Sequence, residues 1–423
     1  MDEARSALNA LKRYWSNHAE AIYHLPFPKR EKTNTGNLPP NLIEIELPTW
    51  SNSGVNRKIL VPRHLVQNLK LSPNTWKKTP WLNIIFWYLH CLPERQFEKQ
   101  LGPIHSYSVK LKNWNPLMWQ RAWVNRIALF LREWLLRKEE ISERKIPLPD
   151  PEIIMTFDVD AVYKTLPLRL KGSAFACFNT IRSLRNRKIK DALISGKKAL
   201  RFLFKQDKYD FLDETFDALE KNKIKGRYHF HTSKETTSFK SWLFDPGYLL
   251  SQISKDFLKQ DKIEIGIHPS YDSWNDTKAY SKQIGKLQKI TGQNIGYCRQ
   301  HWLRFSWEHT WLSQIMADIK TDATLGFNDR SGFRNSSCLF FNPMNPDGNK
   351  LLTIESQPLV LMDSHLYDYT PQDEENRTKE ITYWINEIKE TKGQATVLWH
   401  PHTLSCDFGW KKGFYELTEI LAK

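Results

Sequence analysis

A chain of 423 residues, 40% hydrophobic and 13% aromatic, is too long for one small core and too apolar for disorder, so two units are expected. Its most apolar window, 81–92, is interrupted by Asn83 and His90 and is too short for a bilayer span. Residues 1–5 have no apolar stretch behind them, so neither a membrane helix nor a secretory leader is expected. Of the formal charge of +15, eleven come from 161–205, where twelve Lys and Arg stand against one acidic residue, Asp191; a field this local argues against nucleic-acid binding.

Residues 1–148 read as a smaller α+β accessory unit. Pro26, Pro28, Pro39 and Pro40 break up its early part, and a helix is expected from Asn115 and Pro116 to Lys138. Nine of the 17 Trp lie here, and at helical spacing they are expected to be core rather than sugar-stacking platforms. The five Cys, at 91, 177, 298, 338 and 406, have no pair spacing, which predicts reduced thiols and a cytoplasmic location. A charge run and the prolines of 139–151 form the linker.

The second unit, 149–423, opens with the apolar run 153–157, which leads into Asp158 and Asp160. The two carboxylates share a parity and can point into one site, where they repel unless a cation or a proton intervenes. In 161–205, apolar residues recur at helical steps with Lys and Arg between them. A helix is expected over 209–222, a strand over 225–231, a strand over 263–268, and a helix over 277–290 stopped by Gly292. Apolar runs at 294–301, 322–327, 359–363 and 395–400 complete about seven strands, a parallel α/β pattern with barrel-like closure.

In such folds the chemistry sits at the carboxyl ends of the strands. Here those ends carry Asp158 and Asp160, then His268, then Arg299 and His301, then Asp363, and finally His400. Their order, with Thr156-Phe157-Asp158-Val159-Asp160, Gly266-Ile267-His268-Pro269-Ser270, Tyr297-Cys298-Arg299-Gln300-His301-Trp302 and Val397-Leu398-Trp399-His400, resembles the polysaccharide deacetylase (NodB homology, carbohydrate esterase) family. It is most similar to a bacterial subgroup with an extra N-terminal domain and a Gly-Phe-Arg motif, Gly332-Phe333-Arg334 here.

The resemblance implies a distorted seven-stranded (β/α) barrel and a divalent metal, most often zinc. It implies Asp158 as general base, Asp160 and His268 as metal ligands, Arg299 as the group that orients the base, and His400 as the acid. Two departures leave alternatives open. Asp272 stands where the family has a second metal-binding His, so the third ligand is His301, Asp272 or neither. Arg299 lacks the usual proline context, so Arg334 is a candidate to share or replace its role. Asp363 either orients a site residue or caps a loop. The family's counterpart of the 225–231 strand is apolar, so the resemblance implies that His229 and His231 are structural. The implied substrate is an N-acetylated sugar in a bacterial surface polysaccharide precursor. The alternatives are a non-catalytic glycan- or membrane-binding module, or an amidase for a small cyclic or nucleotide-linked amide. For 161–205 the candidates are a solvated face or contact with an anionic surface, a membrane leaflet or a lipid-linked substrate at the inner membrane face.

Overall fold

The computed structural model describes residues 2–66, 70–187, 189–232, 245, 253, 255–258, 260 and 262–423. The chain is mixed α/β. Residues 42–62 supply a two-stranded antiparallel ladder, β1 (Leu42–Glu46) and β2 (Lys58–Pro62), among helices. The second part carries eight parallel strands: β3 (Glu152–Val159), β4 (Gly226–Phe230), β5 (Glu264–Ile267), β6 (Tyr297–Cys298), β7 (Thr321–Asp322), β8 (Glu355–Ser356), β9 (Leu359–Met362) and β10 (Gln394–Trp399). They lie in the order β8-β7-β6-β5-β4-β3-β10-β9. The count is one more than expected, because β8 is two residues long and carries no periodicity. The run at 322–327 is strand only over β7. Beyond it the chain turns to bridge the sheet's two edges, with Leu359 N donating to Leu325 O at 2.8 Å and Gly332 N to Val360 O at 2.9 Å.

β3 is buried on both faces from Met155 onward, as expected for a parallel strand covered on both sides. Phe157 stacks on Tyr228 of β4 on the helix-covered face. The opposite face is polar: Thr156, Asp158, Arg227, His229, Arg299 and Thr396 are all buried. Register then builds layers. Asp158 stands beside His229, and His229 beside Gly266. Two residues further on, at the carboxyl ends, come Asp160, His231 and His268.

The helix expected from 116 to 138 is broken. A turn at Leu117–Gln120 and the helix Trp123–Lys138 are separated by Arg121, whose backbone is extended. Glu387 causes the break by accepting from Ala122 N at 3.0 Å and from Arg121 Nη1 at 2.7 Å, while also binding Arg126. One contiguous hydrophobic cluster runs through both parts of the chain, and eight of the nine N-terminal Trp are buried in it. The ninth, Trp50, is half-buried and stacks on Phe130.

Candidate metal and acid-base site

The carboxyl ends of β3, β5, β6, β9 and β10 converge. Asp160 Oδ1 lies 3.4 Å from His268 Nε2 and 3.6 Å from His301 Nε2, and Asp160 Oδ2 lies 3.7 Å from His400 Nε2. Asp160 Oδ1 is buried and has no hydrogen bond. Tetrahedral zinc, with bonds of roughly 2.0–2.1 Å, holds its donors about 3.3–3.4 Å apart. The donor atoms of Asp160, His268 and His301 all lie within 4.8 Å of one another. A mixed carboxylate and imidazole set of this spacing fits a divalent ion.

Each imidazole is aimed by its other nitrogen. His268 Nδ1 lies 2.7 Å from Arg299 O, which assigns it the proton and turns the Nε2 lone pair toward Asp160. His301 Nδ1 lies 3.2 Å from Asp245 Oδ1, the same device with a carboxylate partner. That oxygen also accepts from Tyr271 N at 2.6 Å and lies 3.5 Å from His231 Nε2. Burial opposes ionisation of Asp245, but His231 and His301 hold it well below the usual carboxylate range. His231, Asp245 and His301 also form a second set of donors at metal-binding spacing.

Asp158 sits one layer deeper and is 2% exposed. Arg299, fully buried, approaches it at 3.5 Å and donates to Thr156 Oγ1 at 2.5 Å, Thr396 Oγ1 at 3.2 Å and Ala323 O at 2.9 Å. His229 Nδ1 lies 3.4 Å from Asp158 on the other side. Burial alone would raise the Asp158 carboxyl; facing His268, Arg299 and His229, it is held well below its ordinary range. His400, at the end of β10, is oriented by Asp363, whose Oδ1 lies 2.8 Å from His400 Nδ1 and whose Oδ2 accepts from His400 N at 2.8 Å. Burial lowers the His400 imidazole, but Asp363 and Asp160 together raise it to about 10.

Two candidates lie elsewhere. Asp272 pairs with Arg304 Nη1 at 2.8 Å. Arg334 does not share the place of Arg299. Its guanidinium is buried against Glu94 and donates to Ser106 Oγ at 2.6 Å and Gly326 O at 3.1 Å. Ser106 Oγ in turn donates to Leu303 O at 2.6 Å, and Trp302 and Leu303, which follow His301, both have left-handed backbone. Arg334 thus braces the turn that carries His301. Gly332, at φ +146°, is required beside it, since a Cβ there would lie 2.9 Å from Trp119 O.

The sequence reading missed His229, His231 and Asp245. The two histidines were visible in principle. Arg227, His229 and His231 alternate with Tyr228 and Phe230, the period of a strand with one polar face. Asp245 falls in 232–262, a stretch where no strand is expected from the sequence.

No family profile and no curated protein matches this chain. Among solved structures it is similar to the crystal structure of a "putative polysaccharide deacetylase from Mycobacterium smegmatis" at 15% identity. The match covers 66% of this chain and 86% of that one, with a TM-score of 0.38, a likeness too low to carry an argument about chemistry.

Proposed function

We propose that the protein is a metal-dependent hydrolase that removes an acetyl group from an N-acetylated sugar, a precursor of a bacterial surface polysaccharide. The observation that carries this reading is Asp160 Oδ1, buried and without a hydrogen bond while histidine nitrogens face it at 3.4 and 3.6 Å. A divalent ion, zinc first, held by Asp160, His268 and His301, would polarise the acetyl carbonyl and acidify a water.

This chain's own residues do the rest. Asp158, ionised and fixed by Arg299, takes the proton of the attacking water. Water oxygen adds to the amide carbon, the carbon–nitrogen bond breaks, and His400 delivers a proton to the departing amine while Asp363 holds its ring. The products are acetate and a free amine. A cation at Asp160 would cancel part of that carboxylate's pull on His400 and bring its imidazole down toward neutrality, where it gives up a proton more readily. A non-catalytic reading would need the metal set to be incomplete for want of a histidine at Asp272, and His301 offers a nitrogen in its stead.

The test is metal content and acetate release side by side. Wild type should hold near one equivalent of zinc. His268→Ala, Asp160→Ala and His301→Ala should lose it, whereas Asp272→Ala should keep it. Asp158→Asn and His400→Ala should keep the metal and lose roughly 10²–10⁴ in rate. Metal retained in both His268→Ala and Asp160→Ala would end the assignment. Acetylated oligosaccharides, nucleotide sugars and small amides offered in parallel define the substrate class.

A further inference from the structure

The 161–205 segment folds as two helices, Leu166–Arg185 and Ile189–Phe204, packed side by side. Small residues make their seam. Ala176, Ala192 and Ala199 are buried, Gly196 lies against Thr180, and a Cβ on Gly172 would meet Phe202 at 2.5 Å. Apart from Phe202, which fills the seam against Gly172, most large apolar side chains point outward instead. Phe175, Phe178, Ile181, Leu184, Ile189 and Leu193 are between 53% and 66% exposed. Of the twenty large apolar side chains exposed among the described residues, eleven are on these two helices. A hairpin built for water does the reverse, placing Leu and Phe in the seam and polar residues outside. Small residues between helices with large ones facing out is the arrangement that suits lipid.

Charge selects the occupant. The segment carries twelve Lys and Arg against one acidic residue, so two such hairpins meeting face to face would repel. An anionic lipid surface satisfies both features at once: long basic side chains reach phosphates while apolar ones enter the acyl boundary.

The hairpin is rooted beside the site. Lys164 is buried, pairs with Asp407 at 2.6 Å and donates to Lys205 O at 2.8 Å. Lys171 Nζ lies 5.4 Å over the Trp302 ring, next to His301. From Lys171 to the tip is about 20 Å of helix. No helix among the described residues is long and apolar enough to cross a membrane.

We propose that this hairpin lies in the headgroup layer of an anionic bilayer and holds the site at the membrane surface, within reach of a lipid-borne substrate. The inference does not depend on the metal chemistry and survives its failure.

The full chain is sedimented with phosphatidylcholine vesicles and with vesicles containing phosphatidylglycerol, at low and at physiological salt. Binding is expected only to the anionic vesicles, and it should weaken as salt rises. Replacing Arg182, Arg185, Arg187 and Lys190 with Gln should lower the partition coefficient by roughly 10²–10³. Lys188 lies outside the described residues. Replacing Phe175, Phe178 and Leu193 with Ser should abolish binding while the charge is kept, which separates insertion from simple adsorption. These side chains are exposed, so both variants should melt with wild type. No binding to anionic vesicles at low salt overturns the proposal. So does full binding by the Ser variant, or a concentration-dependent dimer that the Ser variant abolishes.

Discussion

Breaking the buried Glu94–Arg334 pair should unfold the protein more readily than any surface charge change, and the structure allows the size to be worked out. The two side chains are 3% and 1% exposed. Arg334 Nε lies 3.1 and 3.2 Å from the Glu94 oxygens, Nη2 also donates to Glu94, and Trp307 Nε1 donates to Glu94 Oε1 at 2.8 Å. Glu94→Gln keeps an acceptor but leaves the Arg334 charge buried without its counter-ion, a loss of about 3–5 kcal/mol. Arg334→Met orphans the carboxylate at a similar cost. The double variant removes both charges, so its cost should fall below the sum of the singles by about 1–3 kcal/mol. Urea unfolding of the four proteins closes the cycle. Because Arg334 braces the His301 turn through Ser106, Arg334→Met should also weaken zinc binding by roughly 10–100-fold, the range for an outer-shell partner. Singles that cost under about 1 kcal/mol, or costs that simply add, would refute the account of Arg334 as a buried strut.

Acid should destabilise the fold through two buried histidines outside the metal-binding cluster. His365 accepts from Met362 N at 3.2 Å and lies 3.0 Å from Phe327 O, so both nitrogens are engaged as a neutral ring; burial holds it at about 4. His90 accepts from Met344 N at 3.3 Å, and burial holds it at about 3. Both folded values lie below the unfolded value of about 6.5, so the unfolded chain takes up protons first. The stability is therefore complete above pH 6.5 and drains as pH falls toward the folded values. At pH 5.5 each histidine should cost about 1.4 kcal/mol, read as a drop in urea stability against pH 7.5; a flat profile rejects the reading. Gly266→Ala should cost about 1–3 kcal/mol and slow turnover, because the new Cβ would lie 2.5 Å from His229 Cδ2, and His229 abuts Asp158. An unchanged thermal midpoint would show that His229 can give way.

What the sequence alone determined is what an apolar run records about its own end. β3, β5, β9 and β10 each lead with buried residues into Asp158 and Asp160, His268, Asp363 and His400, and strand parity turned those groups to one face. Their common order was therefore legible, as was the α/β alternation with Gly292 closing a helix. Tertiary structure decided everything that depends on a partner distant in the chain. Asp272 follows its strand as plausibly as His301 follows β6, yet Arg304 captures the first, while Asp245, 56 residues upstream of His301, aims the second. Arg334 looked like a site residue until Glu94, 240 residues away, appeared against it. The helical periodicity of 161–205 marked two amphipathic helices, but a period has no sign. Only packing reveals that Gly and Ala, with Phe202, fill the seam while the other Phe and most Leu face outward, since burial belongs to a pair of surfaces and a sequence presents one at a time.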